Sequence, residues 1–144
     1  MKVTYKESFE YKILQKIESI QSVTILRNDF STLGDSDRQI SRALSSLVKK
    51  GRLVRLGYGI YAKLEPSLYR KGETVLPIGF IDIIREALTK MGIPWKISDF
   101  EQEYNEGRST QIPVRPTTII EKRFRRKISY KNREFPFEYS LRTR

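Results

Sequence analysis

The chain of 144 residues carries 28 Lys and Arg against 17 Asp and Glu, a net charge of +11, and contains neither histidine nor cysteine. A disulfide framework, a thiol nucleophile and every Cys-containing zinc site are excluded, and the commonest general base is missing as well. With 38% apolar residues, a chain of this length can fold as one compact unit or two small subdomains without metals or cross-links.

The opening Met1-Lys2-Val3-Thr4-Tyr5-Lys6-Glu7 lacks the apolar run of a signal peptide, and no apolar stretch approaches the roughly 18 residues of a membrane span. The expectation is a cytoplasmic protein with no membrane partner, no metal, no cofactor and no enzymatic activity. Charge is unevenly placed. Residues 1–70 hold 13 basic and 7 acidic side chains (net +6), 71–107 hold 4 and 7 (net −3), and 108–144 hold 11 and 3 (net +8). A polyanion responds to the local patch rather than to the total, so two basic lobes around an acidic middle suit such a partner. Residues 65–73 combine Pro66, Gly72 and charge without apolar periodicity and read as a linker, giving domains over 1–65 and 74–144.

In chain order, Phe9, Ile13, Leu14, Ile17 and Ile20 recur at spacings of three and four and predict a helix with one buried stripe. Val23-Thr24-Ile25 is β-branched and predicts a short strand; Asn28 to Leu33 reads as a short helix stopped by Gly34, with Arg27 at its start. Ser36 with Gln39 has capping-box spacing, and Ile40, Ala43, Leu44, Leu47 and Val48 hold the helical period until Lys49-Lys50-Gly51, where cations meet the helix dipole and glycine ends the run. Leu53-Val54-Arg55-Leu56 and Ile60-Tyr61-Ala62-Lys63 are short strands joined by Gly57-Tyr58-Gly59, a hairpin turn.

The outward face of the Ser36–Lys50 helix consists of Arg38, Gln39, Ser41, Arg42, Ser45, Ser46 and Lys49, with no acid after Asp37. A solvated helix ordinarily mixes signs to gain i,i+4 pairs; an acid-free row of donors suits phosphates and base edges. Helix, strand, short helix, amphipathic helix and hairpin is the element order of a winged helix-turn-helix, with the fourth element in the DNA major groove and the hairpin as the wing. On that reading Arg38, Ser41 and Arg42 address bases, while Lys49, Lys50, Arg52 and Arg55 address phosphates. Arg27, Gln39, Ser45 and Tyr58 complete the surface.

In the second half, Phe80, Ile81, Ile83, Ile84, Ala87, Leu88 and Met91 form a helix face broad enough to be a core, ending at Gly92. Ile93 to Ile97 predicts a strand, and Ser98-Asp99 with Glu101 and Glu103 opens a short acidic helix whose carboxylates read as dipole partners rather than catalysts. From Thr117 the apolar Ile119, Ile120, Phe124, Ile128, Tyr130, Phe135, Phe137 and Tyr139 interleave with Lys122, Arg123, Arg125, Arg126, Lys127, Lys131 and Arg133. Two or three strands with a turn at Lys131-Asn132-Arg133 are predicted, forming an antiparallel sheet. Arg123, Arg125, Arg126, Lys127, Lys131 and Arg133 then make either a second surface for nucleic acid or a partner, or plain solvated charge; both stay open. The overall expectation is α+β, a winged helix-turn-helix followed by a small α+β subdomain.

Asn28-Asp29-Phe30 with Leu33-Gly34, Arg42-Ala43-Leu44-Ser45-Ser46-Leu47-Val48-Lys49-Lys50-Gly51 and Leu53-Val54-Arg55-Leu56-Gly57-Tyr58-Gly59-Ile60-Tyr61 resemble the N-terminal half of the AbiEi-like antitoxins of bacterial type IV toxin–antitoxin systems and their short winged-helix relatives. Ser109-Thr110-Gln111-Ile112-Pro113 resembles the Ser-Thr-Gln-Val-Pro step of those relatives, so the likeness runs from about Ile13 to Phe137. The resemblance implies a winged helix that binds the operon's own promoter as duplex DNA, and a C-terminal part acting against a nucleotidyltransferase-like toxin. A homodimer is the expected state where two half-sites are read. Two alternatives stand beside this autoregulating antitoxin: a protein-docking module whose winged helix is structural, and an RNA-binding protein acting through the basic C-terminal sheet.

Overall fold

The computed structural model describes residues 8–33, 37–108, 110 and 117–139. The fold is α+β, and the chain divides into two units, Met1–Gly79 and Phe80–Arg144. Among the described residues no helix is long and apolar enough to cross a membrane. Gly34 and Ser36 lie outside the described residues, as does most of the Ser-Thr-Gln-Ile-Pro step, at 109 and 111–113.

In the first unit α1 (Phe9–Ser19) starts where the Ser8 hydroxyl accepts a hydrogen bond from the Tyr11 N–H at 3.2 Å, satisfying a donor that the first helical turn leaves open. Its stripe turns Ile13 and Ile17 inward. β1 (Thr24–Leu26) is followed by a 3-10 helix, Arg27–Leu33; the Leu26 N–H donates to the Asp29 carboxylate at 2.8 Å and bends the chain from strand to helix. α2 (Asp37–Lys49) buries Ile40, Ala43, Leu44 and Leu47 at the predicted period. β2 (Leu53–Gly57) and β3 (Ile60–Lys63) form the hairpin, and the antiparallel sheet has the order β1-β3-β2, with Ile25 opposite Tyr61 and Leu26 opposite Ile60. The core joins Ile13 and Ile17 of α1, Ile25, Phe30, the buried face of α2, Leu53 and Tyr61. Removing each such aliphatic or aromatic side chain from water contributes about 1.5–3 kcal/mol. Beyond β3, two short strands, β4 (Glu65–Pro66) and β5 (Thr74–Val75), pair across residues 67–73.

The second unit is built on α3 (Phe80–Lys90), which buries Phe80, Ile83, Ile84, Ala87 and Leu88 together with Arg85. β6 (Trp95–Ile97), α4 (Asp99–Asn105) and β7 (Thr118–Ile120) follow, then β8 (Ser129–Tyr130), β9 (Arg133–Glu134) and β10 (Phe137–Tyr139). Ser98 caps α4, accepting from the Glu101 N–H at 3.2 Å.

The C-terminal sheet departs from the antiparallel expectation. Its order is β10-β7-β6, and although β6 and β7 are antiparallel, β10 runs parallel to β7, with Phe137 opposite Thr118 and Tyr139 opposite Ile120. Antiparallel neighbours can be joined by a tight turn; the long connection from 121 to 136 instead carries the chain back to start β10 at the same end as β7. That connection contains the β8–β9 hairpin, whose turn residues Lys131 (φ 47°) and Asn132 (φ 66°) occupy the left-handed region that a primed two-residue turn requires. Residues 121–127, within the segment expected to hold two or three strands, form none; along this connection Ile120, Phe124 and Ile128 are buried at intervals of four.

Aromatic contacts close this core. Phe80 meets Phe135 edge-on with centroids 6.4 Å apart, Phe135 stacks on Phe137 at 6.0 Å, and Phe124 meets Phe137 edge-on at 6.0 Å. Such pairs add about 0.5–1.5 kcal/mol each beyond their burial.

Candidate nucleic-acid interface

The apolar period that buries one side of α2 dictates what the other side presents. Arg38, Ser41, Arg42, Ser45, Ser46 and Lys49, three and four residues apart, line one shallow depression along the helix. Arg38, Ser41, Arg42, Ser45 and Lys49 are exposed and Ser46 is half-buried. Thirteen residues give the helix a length of about 20 Å. Gln39 is exposed on α2 but does not line the depression.

The end of α2 sets where the next cations stand. Gly51, at φ 77°, adopts the left-handed conformation, so that its N–H bonds the Val48 carbonyl at 3.1 Å and the Arg52 N–H bonds the Leu47 carbonyl at 3.0 Å. This paired closure satisfies orphan carbonyls of the last turn and directs the chain from α2 into β2, which carries Arg55. Tyr58 is 74% exposed at the hairpin tip, beside Gly59 at φ 72°. The tip is anchored from behind, because the Arg27 N–H donates to the Gly59 carbonyl at 3.0 Å.

Charge pairing separates the candidate residues into two groups. Arg27 reaches the first turn of α2, where its guanidinium donates to the Asp37 carbonyl at 2.8 Å and pairs with the Asp37 carboxylate at 3.2 Å. Lys50, at the other end, pairs with Glu10 of α1. These two cations hold the helix in place rather than standing free above it. By contrast Arg38, Arg42, Lys49 and Arg52 have no carboxylate partner among the described residues, and Arg55 donates only to the Gly57 carbonyl at 3.4 Å. Cations without intramolecular partners are the ones available to an anion.

In the second unit Arg123, Arg125, Arg126, Lys127, Lys131 and Arg133 are all exposed, whereas Phe124, Ile128 and Phe135 between them are buried. Lys127 pairs with Glu134 at 3.6 Å, Lys131 lies over the Tyr130 ring at 5.4 Å, and an Arg126 N–H points at the Met91 sulfur at 3.3 Å. Of the acids at α4, Glu101 pairs with buried Arg85, and Glu106, just past the helix, is held below its ordinary carboxylate pKa by a hydrogen bond from Gln102 and the charge of Arg108. No three metal-ligating side chains gather among the described residues.

Two residues escape a reading by spacing. Arg85 sits on the apolar face of α3 and finds its partner sixteen residues away, and Tyr139, one of the apolar positions of the C-terminal segment, is 44% exposed. Compared with protein-family models the chain matches none, and comparison with curated proteins likewise gives no match.

Proposed function

We propose that this protein is a sequence-specific DNA-binding regulator whose first unit acts as a winged helix-turn-helix, with α2 as recognition helix and the β2–β3 hairpin as wing. The observation carrying the reading is the row Arg38, Ser41, Arg42, Ser45 and Lys49: exposed, acid-free and, for its cations, free of carboxylate partners among the described residues, on a helix whose other face is locked into the core. Support also comes from the succession of elements and from the sheet order β1-β3-β2, which put the hairpin directly after that helix. A helix of this diameter enters a major groove about 12 Å wide, where arginine forks match guanine and serine hydroxyls match any base edge. Arg38, Ser41 and Arg42 take the base-reading role. Lys49, Arg52 and Arg55 hold phosphates, and Arg27 and Lys50 position the helix.

The likeness of the α2 and hairpin residues to AbiEi-like antitoxins supports a finer reading: autoregulation at the protein's own promoter, with the second unit opposing a nucleotidyltransferase-like toxin. A gel-shift titration with the DNA upstream of the gene, against a scrambled duplex of equal length, tests the first part. Tighter binding to the upstream duplex, lost on Arg42→Ala, is the expected outcome; equal affinity for both duplexes overturns it. Growth rescue on co-expression with an adjacent nucleotidyltransferase-like reading frame tests the second.

A further inference from the structure

Residues 121–127 of the second unit are an unusual piece of chain. Buried Ile120, Phe124 and Ile128 pin it at intervals of four, and between these anchors Lys122, Arg123, Arg125, Arg126 and Lys127 are all exposed. Lys127 is paired with Glu134, but Lys122, Arg123 and Arg125 have no carboxylate partner among the described residues. Like charges held this close repel one another, and a bound polyanion relieves that repulsion.

An aromatic ring is fixed in the middle of this strip. The Tyr139 hydroxyl, projecting from β10, accepts a hydrogen bond from the Phe124 N–H at 3.1 Å and donates to the Phe124 carbonyl. It is thus tied to the backbone between Arg123 and Arg125. Phe137 meets the ring edge-on at a centroid distance of 5.5 Å, and 44% of Tyr139 stays open to solvent. A tyrosine held at its hydroxyl and against the Phe137 ring is ordered before any ligand arrives, which lowers the entropy lost on stacking.

We propose that the second unit binds single-stranded nucleic acid along residues 122–127, with a base stacked on Tyr139 and the flanking phosphates on Lys122, Arg123 and Arg125. The ring selects this ligand class. In a duplex the base faces are stacked on one another and closed to a side chain, whereas an unpaired base offers its face to an aromatic platform. An acidic protein would use the cations but draw nothing from the ring. Stacking and phosphate contacts tolerate any base, so little sequence preference is expected.

This proposal is independent of α2, and the test keeps the two surfaces apart. Fluorescence anisotropy is measured for the full chain with a labelled single strand of about 12 nucleotides. All variants are compared in an Arg38→Ala/Arg42→Ala background, so that any loss of binding is read at the second unit. Tyr139→Ala should weaken binding about tenfold, and Tyr139→Phe, which keeps the ring and releases its anchor, should fall between. Arg123→Ala/Arg125→Ala, at exposed positions that leave the core intact, should weaken binding and flatten the salt dependence by about 0.7 per charge removed. Three results would each overturn the proposal: equal competition by a duplex of the same length, equal competition by polyglutamate, or undiminished binding by both the Tyr139→Ala and the double-arginine variants.

Discussion

Arg85 grips Glu101 with both ends of its guanidinium, each N–H donating to a separate carboxylate oxygen at 2.9 Å. The pair is nearly closed to water, with the side chains 10% and 13% exposed, and its surroundings complete the hydrogen bonding. Arg85 Nε donates to the Thr118 hydroxyl at 2.8 Å, the guanidinium lies over the Trp95 ring at 5.2 Å, and Trp95 Nε1 donates to Thr89 at 2.9 Å. One arginine therefore ties α3 to α4, β6 and β7. The bidentate geometry and the third hydrogen bond offset the cost of taking both charges out of water.

Breaking this pair from one side leaves a buried charge without its partner. Glu101→Gln should lower stability by about 3 kcal/mol, read from the urea midpoint of the second unit's transition. Replacing both residues, as Arg85→Met/Glu101→Leu, should recover much of that loss. A double variant as unstable as the Arg85→Met and Glu101→Leu losses added together would show that no such coupling exists.

The proposed roles of Arg42 on α2 and of Arg52 just after it should separate in binding data. Arg42→Ala should cost about 1–3 kcal/mol on the upstream duplex and blunt the distinction between upstream and scrambled sequences. Arg52→Ala should instead weaken both duplexes alike and reduce the salt slope by about 0.9. Competition titrations at two salt concentrations distinguish the patterns, and identical behaviour of the two variants would refute the division into base and phosphate contacts.

On the proposed DNA-binding reading, Glu10 and a phosphate compete for Lys50. Because the ion pair joins α1 to the end of α2, Glu10→Gln should release the ammonium toward a phosphate. Affinity should rise about threefold, consistent with a partly exposed pair worth under 1 kcal/mol, and the salt slope should steepen by about 0.9. Unchanged affinity and slope would mean that Lys50 stays clear of the duplex.

The turn after α2 depends on one backbone conformation. A Cβ at Gly51 would meet nothing within 4 Å, so Gly51→Ala bears the left-handed φ of 77° as its only penalty. Stability should fall by about 1 kcal/mol, and Gly51→Asn should lose less, since asparagine tolerates that region. Urea denaturation of both variants provides the comparison. A larger loss for Asn than for Ala would contradict this account of the turn.

Local spacing carried much of this protein into view. The stripe Ile40, Ala43, Leu44 and Leu47, the glycine closing α2, and the hairpin at Gly57-Tyr58-Gly59 involve residues within a few positions of one another, where the helical period and turn chemistry act directly. The acid-free face of α2 was legible for the same reason: once one side of a helix is assigned to the core, the other side follows. Which cations on it stand free was not legible, because the pairings of Arg27 with Asp37 and Lys50 with Glu10 join residues ten and forty positions apart.

The second unit shows the limit most plainly. Alternating aromatics and cations between 119 and 139 were compatible with a simple antiparallel meander, yet the chain sets β10 parallel to β7 and leaves 121–127 unpaired in any sheet. Strand direction depends on where a distant segment returns, and periodicity is silent about that. For the same reason Arg85 on an apolar helix face became the centre of a buried network, and Tyr139 an exposed ring anchored to Phe124. Composition and short-range pattern determined a basic α+β protein with one helix whose outward face is polar and acid-free; three-dimensional packing alone decided which charges are paired inside the fold and which are left exposed without a carboxylate.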